Sequence, residues 1–261
     1  MDTRNDSRRK TPTVPSIERA LTIVERLAHS KREMGVSEIS QKLKIPKSTT
    51  HTIVLTLEKM GYLRKNVASG KYNLGLKLFG LGSIVLARLQ FREQALQPLK
   101  QLMEKTRLTT HLAILEQDEA VYIEKVEAPG MVKIDTWVGR RMDLHCTGVG
   151  KALLAFLDEK SLPELLRPRG LPRHNAKTIT SFAKLKQDLE EVRARGYSID
   201  DEEDELGVRC IGAPVFNHRR ELVGAISIAG AKSQINEENI NALGAMLRET
   251  AGDISARLGF E

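Results

Sequence analysis

Cysteine, aromatic side chains and long apolar runs are all scarce in this chain, and each scarcity removes a class of protein. Only Cys146 and Cys210 occur in 261 residues, too few for a disulfide scaffold and without the CxxC spacing of a small zinc module. No apolar run approaches the roughly 18–20 residues that cross a bilayer, so no membrane partner is expected. The first twenty residues hold Arg4, Arg8, Arg9 and Lys10 but no apolar stretch, so no secretory signal is read there. Aromatic residues make up 4%, yet 41% of the chain is hydrophobic and 29% is charged with both signs, which fits folded cores rather than wholesale disorder. The expectation is a soluble, cytoplasmic protein with two domains of roughly 80 and 180 residues.

The net charge of +7 is unevenly spread. Residues 1–75 carry 15 Lys and Arg against 7 Asp and Glu, a surplus of +8, whereas the other 186 residues carry 26 against 27. A basic segment can be a solubilising surface, but a surplus confined to one small domain fits a phosphate-binding footprint better.

Residues 1–15 are polar and charged, with Pro12 and Pro15 near their end, and read as a flexible basic arm. Ser16 is placed to cap a helix with Ile17, Leu21, Val24 and Leu27 on one face. A short helix follows Gly35, with Val36, Ile39 and Leu43 aligned, and Lys44-Ile45-Pro46-Lys47 forms a tight turn. The next helix runs from Lys47 to Met60 and is expected to bury Thr50, Ile53, Leu57 and Met60. Leu63–Val67 and Lys71–Leu74 then alternate around Ala68-Ser69-Gly70, a β-hairpin pattern. Helix, short helix, turn, helix and basic hairpin make a winged helix-turn-helix over residues 16–75.

Residues 76–107 read as a long helical stretch whose apolar positions, Leu78, Leu81, Val85 and Leu89, exceed what a lone connector needs. Residues 76–90 are therefore assigned as a dimerisation linker that packs against its copy. Residues 91–261 look α/β with an antiparallel sheet: strands at His111–Leu115, Val121–Val126, Val132–Val138, Ile211–Phe216 and Leu222–Ala229. Helices are expected near Gly150–Phe156, Leu162–Leu166, Phe182–Arg195 and Glu237–Leu258.

The start of the 47–60 helix presents Lys47, Ser48, Thr49, His51 and Thr52, hydroxyls and amines suited to phosphates and base edges in a major groove. Arg64, Lys65 and Lys71 on the hairpin suit phosphate or minor-groove contact. Each could also be a solvated surface group; their clustering around a helix-turn-helix favours DNA. Gly148-Val149-Gly150-Lys151 fails as a Walker loop, because the required earlier glycine is His145 and the residue after the lysine is Ala152. The free N–H groups of Gly148 and Val149 at a helix start can instead hold a carboxylate. His145 and Cys146, read as neighbours on a strand, point to opposite faces and form no nucleophile–base pair. Zinc held by His145, Cys146 or Cys210 stays open, without a ligand spacing that supports it. No catalytic residue, metal or cofactor is assigned.

Three segments of the first domain resemble the IclR family of bacterial regulators: Ser16-Ile17-Glu18-Arg19-Ala20-Leu21, Pro46-Lys47-Ser48-Thr49 and Tyr72-Asn73-Leu74-Gly75. The second half is similar to the same family in Leu144–Ala155 and in Gly196-x3-Asp200-x2-Glu203-x6-Cys210-Ile211-Gly212-x2-Val215-Phe216-Asn217. Thr52 stands where many relatives carry arginine. The resemblance implies a winged helix-turn-helix, a helical linker and a GAF-like ligand domain, hence a transcriptional regulator, more often a repressor. Its implied partners are a double-stranded DNA operator, a small organic acid effector and a second copy in a homodimer, with dimers able to pair into tetramers. It also implies that Gly148, Val149, Asp200, Cys210 and Ser227 hold the effector, with Ala229 replacing a second serine of some relatives. Two other classes remain: a small-acid enzyme with a cysteine nucleophile, and a non-specific nucleic-acid-binding protein.

Overall fold

The computed structural model describes residues 13–30, 32–87, 90–130 and 133–260, so most of the expected N-terminal arm lies outside the described residues. The chain divides between Arg88 and Leu89 into two compact units.

The first unit contains α1 (Pro15–Ala28), α2 (Val36–Leu43), α3 (Lys47–Lys59), β1 (Leu63–Lys65), β2 (Tyr72–Leu74) and α4 (Leu76–Ala87). Its core gathers Ile23, Leu27, Met34, Ile39, Ile45, Val54, Leu63 and Tyr72. Helix α1 starts at Pro15, whose fixed φ suits a first turn, and Ser16 is not its cap. Ile23 and Leu27 are the buried positions of α1, while Ile17 and Leu21 face solvent, a correction to the expected stripe. In α3 the buried pair is Thr50 and Val54 rather than the full 50, 53, 57, 60 series. Ile53 and Leu57 are half-buried and Met60 is exposed. Contacts with α2 and β1 fix that rotation, which helical spacing alone leaves free. The hairpin pairs Leu63 with Leu74 and Lys65 with Tyr72, and Met34 adds an antiparallel bridge to Tyr72. On α4 the large apolar side chains Leu76, Phe79, Leu81, Ile84 and Val85 are all exposed.

The second unit opens on α5 (Gln90–Thr106); the expected helical stretch is helical on both sides of residues 88–89, which lie outside the described set. Strands β3 (Thr109–Glu116) and β4 (Glu119–Val126) form a hairpin. The strand expected at 132–138 is absent from 133–138; Val132 lies outside the described residues. The Lys125 ammonium donates to the carbonyls of Ile134 and Thr136, occupying acceptors that a ladder would have used. Instead β5 (Arg141–Met142) pairs with β4. Helices α6 (Gly148–Ala155), α7 (Leu162–Leu166) and α8 (Phe182–Arg195) follow, then β6 (Ser198–Asp201), β7 (Val208–Phe216), β8 (Leu222–Ala231) and α9 (Ile240–Arg257). Strand β6 has no apolar alternation that would announce it in the sequence.

The six strands form one antiparallel sheet in the order β5-β4-β3-β8-β7-β6. One face meets α5 and α9, where Thr110 donates to the Leu99 carbonyl and the Phe216 amide donates to Ser255 Oγ. The other face carries Ala113, Tyr122 and Ala225 against Val149, Leu153, Leu185 and Leu189. Each buried valine or leucine among them stabilises by about 1.5–3 kcal/mol relative to exposure. Helix α6 approaches β7 so closely that a Cβ on Gly212 would collide with the Gly148 carbonyl oxygen. Glycine at 212 is therefore a packing requirement, and Ser198 donates to that same carbonyl at 2.5 Å.

Candidate functional site

The first unit exposes a basic, hydroxyl-bearing surface. Helix α3 opens after Pro46 with no side-chain cap and no acidic residue in its first turn, so its positive N-terminal end is free to meet an anion. Lys47, Ser48, His51 and Thr52 are exposed there, and Thr49 is half-buried. Thr50 points inward and donates to the carbonyl of Pro46. Thr52 donates to the Ser48 carbonyl, which engages its proton but leaves its oxygen able to accept. Arg64, Lys65 and Lys71 are exposed on the hairpin. The hairpin tip is braced by Glu33, which accepts from Asn66 Nδ2 and Ser69 Oγ, so the wing's cations are carried on a fixed support. No local pattern points to Glu33, because its partners lie 33 and 36 residues away.

In the second unit a narrow pocket opens at one end of the sheet. Its polar lining includes His111, Tyr122, Thr136, Arg140, Thr147, Asp200, Asp204 and Cys210, with Ile134, Met142, Val208 and Ala229 as apolar wall. Strand pairing brings several of these together: Asp200 faces Cys210 across β6–β7, and Cys210 faces Ala229 across β7–β8. His111 on β3 lies opposite Ser227 on β8. Its Nε2 is 2.8 Å from Thr136 Oγ1, and its ring stacks on Tyr122 with centroids 4.4 Å apart.

Of the five expected effector residues, Asp200 and Cys210 line this pocket. Among the described residues, Gly148, Val149 and Ser227 stand outside its lining. Val149 belongs to the apolar core under the sheet, and Ser227 sits behind His111, with Oγ 3.4 Å from Nδ1. Thr147, the cap of α6, is the part of that helix start that reaches the pocket, its hydroxyl accepting from the Gly150 amide. His111, Tyr122, Thr136 and Arg140 escape sequence reading, since no local spacing ties residues of β3, β4 and a long loop into one wall.

The electrostatics are set by burial. Desolvation pushes the Asp200 carboxyl up to about 8, against the Glu203 amide that donates to its Oδ1. Burial likewise raises Asp204 and drives the Cys210 thiol well above its ordinary range, helped by Asp200 beside it. His111 is pushed down to about 3 by burial and stays neutral. Burial thus disfavours the thiolate of Cys210 and shifts the free Cys146 thiol in the same direction, which weighs against a cysteine nucleophile. Arg140 is the pocket's cation; it donates to the Asp135 carbonyl and lies over the Trp137 ring. Behind the pocket Lys151 is fully buried with Glu203 and Asp188, and their attraction outweighs the desolvation that would discharge it.

One expectation about side-chain direction fails. Residues 144–147 form a bend rather than a strand, so the adjacent His145 and Cys146 converge instead of diverging.

Residues 83–256 match the family described as bacterial transcriptional regulator IclR C-terminal, and residues 16–67 match the IclR helix-turn-helix domain. The transcriptional repressor IclR of Escherichia coli K12 is 34% identical over 251 residues, covering 95% of this chain and 92% of that protein. The solved Thermotoga maritima IclR is 34% identical with a TM-score of 0.78, covering 94% of this chain and 99% of the other. An IclR homologue from Microbacterium hydrocarbonoxydans, solved in complex with 4-hydroxybenzoate, is 25% identical with a TM-score of 0.79 and covers 93% and 98% of the two chains. With these two matches spanning most of the chain, it belongs to the IclR family of DNA-binding transcriptional regulators.

Proposed function

We propose that this protein represses transcription in the cytoplasm by binding an operator as a homodimer, and that a small carboxylate metabolite in the second unit's pocket controls its affinity for DNA. The observation that carries the effector class is Arg140, a guanidinium in a pocket whose other lining residues are acidic, neutral polar and apolar. A planar guanidinium pairs with a carboxylate through two parallel hydrogen bonds. Asp200 supports the same reading: held near 8, it carries its proton at neutral pH and can donate to an effector oxygen rather than repel it. The stacked His111–Tyr122 wall and the apolar Ile134, Met142 and Val208 favour an effector with a ring or short carbon chain over a bare two-carbon acid. The 4-hydroxybenzoate bound by the Microbacterium homologue has that chemistry, so hydroxylated aromatic acids head the candidates.

On the DNA side, Lys47, Ser48, Thr49, His51 and Thr52 read bases or phosphates and Arg64, Lys65 and Lys71 neutralise phosphate, with residues 16–75 as the binding domain. The exposed apolar stripe of α4, within the proposed 76–90 linker, pairs two copies so that their recognition helices meet half-sites a whole number of turns apart. The effector acts by binding two arrangements of the dimer unequally; a coupling of about 1–3 kcal/mol suffices. Gel shifts on the gene's own upstream DNA, with and without hydroxylated aromatic acids, test the proposal. Release or strengthening of a sequence-specific complex supports it. Binding that ignores both sequence and acids refutes it in favour of a non-specific nucleic-acid-binding protein.

A further inference from the structure

His145, Cys146 and His174 form a cluster that the regulatory reading does not use. One ring nitrogen of each histidine and the Cys146 sulfur all lie within 4.8 Å of one another. A tetrahedral zinc ion, with bonds of about 2.0–2.3 Å, needs ligand atoms roughly 3.4–3.8 Å apart, which small side-chain rotations supply from this starting geometry. The bend at residues 144–147 makes the arrangement possible, because it turns two consecutive side chains toward the same point.

The hydrogen bonds around the cluster are the second observation. His145 Nε2 lies 3.0 Å from the Pro172 carbonyl oxygen, and a carbonyl can only accept, so the proton sits on Nε2 and Nδ1 keeps its lone pair. His174 Nε2 lies 2.8 Å from Asp143 Oδ2, which fixes the same tautomer, and Asp143 accepts in turn from Arg169 Nε at 3.1 Å. Both imidazoles therefore donate one N–H to an oxygen and retain a free nitrogen, the outer arrangement that orients metal-bound histidines. His174 is one-third exposed and borders a cleft shared with Asp143, Asp204 and Glu205, so one ligand of the cluster meets solvent while His145 and Cys146 are buried.

We propose that His145, Cys146 and His174 bind one zinc-class divalent ion, with water or an anion in the fourth position. Two imidazoles and a thiolate select a soft or borderline ion over magnesium or calcium. The ion would clip the bend before α6 to the loop between α7 and α8. That bend carries Thr147, so loading the site fixes one wall of the effector pocket. The proposal stands apart from the identity of the effector.

Cobalt(II) titrated into the full-length protein is the test, because a cysteine ligand announces itself by a thiolate-to-cobalt charge-transfer band in the near ultraviolet. One cobalt per chain with that band is expected, displaced by zinc. The band should vanish in Cys146→Ser and persist in Cys210→Ser. His174→Ala, at the surface and so tolerated by the fold, should weaken binding at least tenfold, and Asp143→Asn by about 10–100-fold through loss of the outer hydrogen bond. No charge-transfer band in the wild type overturns the proposal. So does a band that disappears with Cys210 instead of Cys146, or unchanged affinity in folded His174→Ala.

Discussion

Replacing Asp200 by asparagine isolates the cost of burying a carboxyl in the effector pocket. Asparagine keeps an acceptor for the Glu203 amide and offers an N–H where the protonated acid offers an O–H, so it imitates the neutral form. Desolvation first of all pushes the folded carboxyl from the ordinary 3.8 up to about 8. Between those values the unfolded chain has released a proton that the folded chain still holds. Stability of the wild type therefore falls as pH rises across that window, by about 1.4 kcal/mol per pH unit, and is flat below and above it. The deficit reaches about 4 kcal/mol at pH 7, and Asp200→Asn is free of it. Trp137 is the chain's only tryptophan and belongs to the second unit, so its fluorescence follows the unfolding of that unit in urea. Between pH 5 and pH 7 the variant should gain about 3 kcal/mol relative to wild type. Effector affinity should follow the same proton: above pH 8 the wild type loses up to tenfold per pH unit for a carboxylate, while Asp200→Asn does not. Parallel pH dependences for the two proteins, in stability and in effector binding, would refute the assignment of a neutral Asp200.

Three further outcomes are expected. Ser48→Ala with His51→Ala should weaken operator binding by about 1–3 kcal/mol for each base that these side chains read, whereas Lys65→Ala and Lys71→Ala should weaken all DNA alike and reduce the salt slope by about one unit per phosphate. Gel shifts over a salt series distinguish the two, and an unchanged Ser48/His51 double variant would remove α3 from the groove. Leu81→Glu with Val85→Glu on α4 should give a folded monomer with little operator affinity; light scattering showing a dimer would place the interface elsewhere. Ser227→Ala should cost less effector affinity than the roughly 1 kcal/mol of a direct neutral hydrogen bond, because Ser227 reaches the pocket only through His111, while Arg140→Ala should cost more; calorimetry giving the reverse order would move the carboxylate from Arg140 to the sheet.

The sequence by itself determined the features that depend on local spacing and composition. The +8 surplus of residues 1–75, the break at Gly61 from helical to alternating pattern, and the full extent of α8 could all be read without neighbours. So could the exposed cations of α3 and the wing, since a charged side chain that finds no buried partner stays in water. Tertiary structure decided whatever depended on which neighbour arrives. It chose Thr50 and Val54 as the inward face of α3, and it left 133–138 as a loop by giving Lys125 the carbonyls a strand would need. It built β6 from Ser198–Asp201, whose Ser198 and Asp200 are buried where the strand pairs with β7 and packs against α6. It also assembled the pocket from β3, β4, β6, β7 and the loop at 134–140, drawing in His111 and Arg140 and leaving Val149 in the core. Periodicity reports which side of an element is apolar; only the packed partners decide which side chains share a cavity and which of them keep their protons.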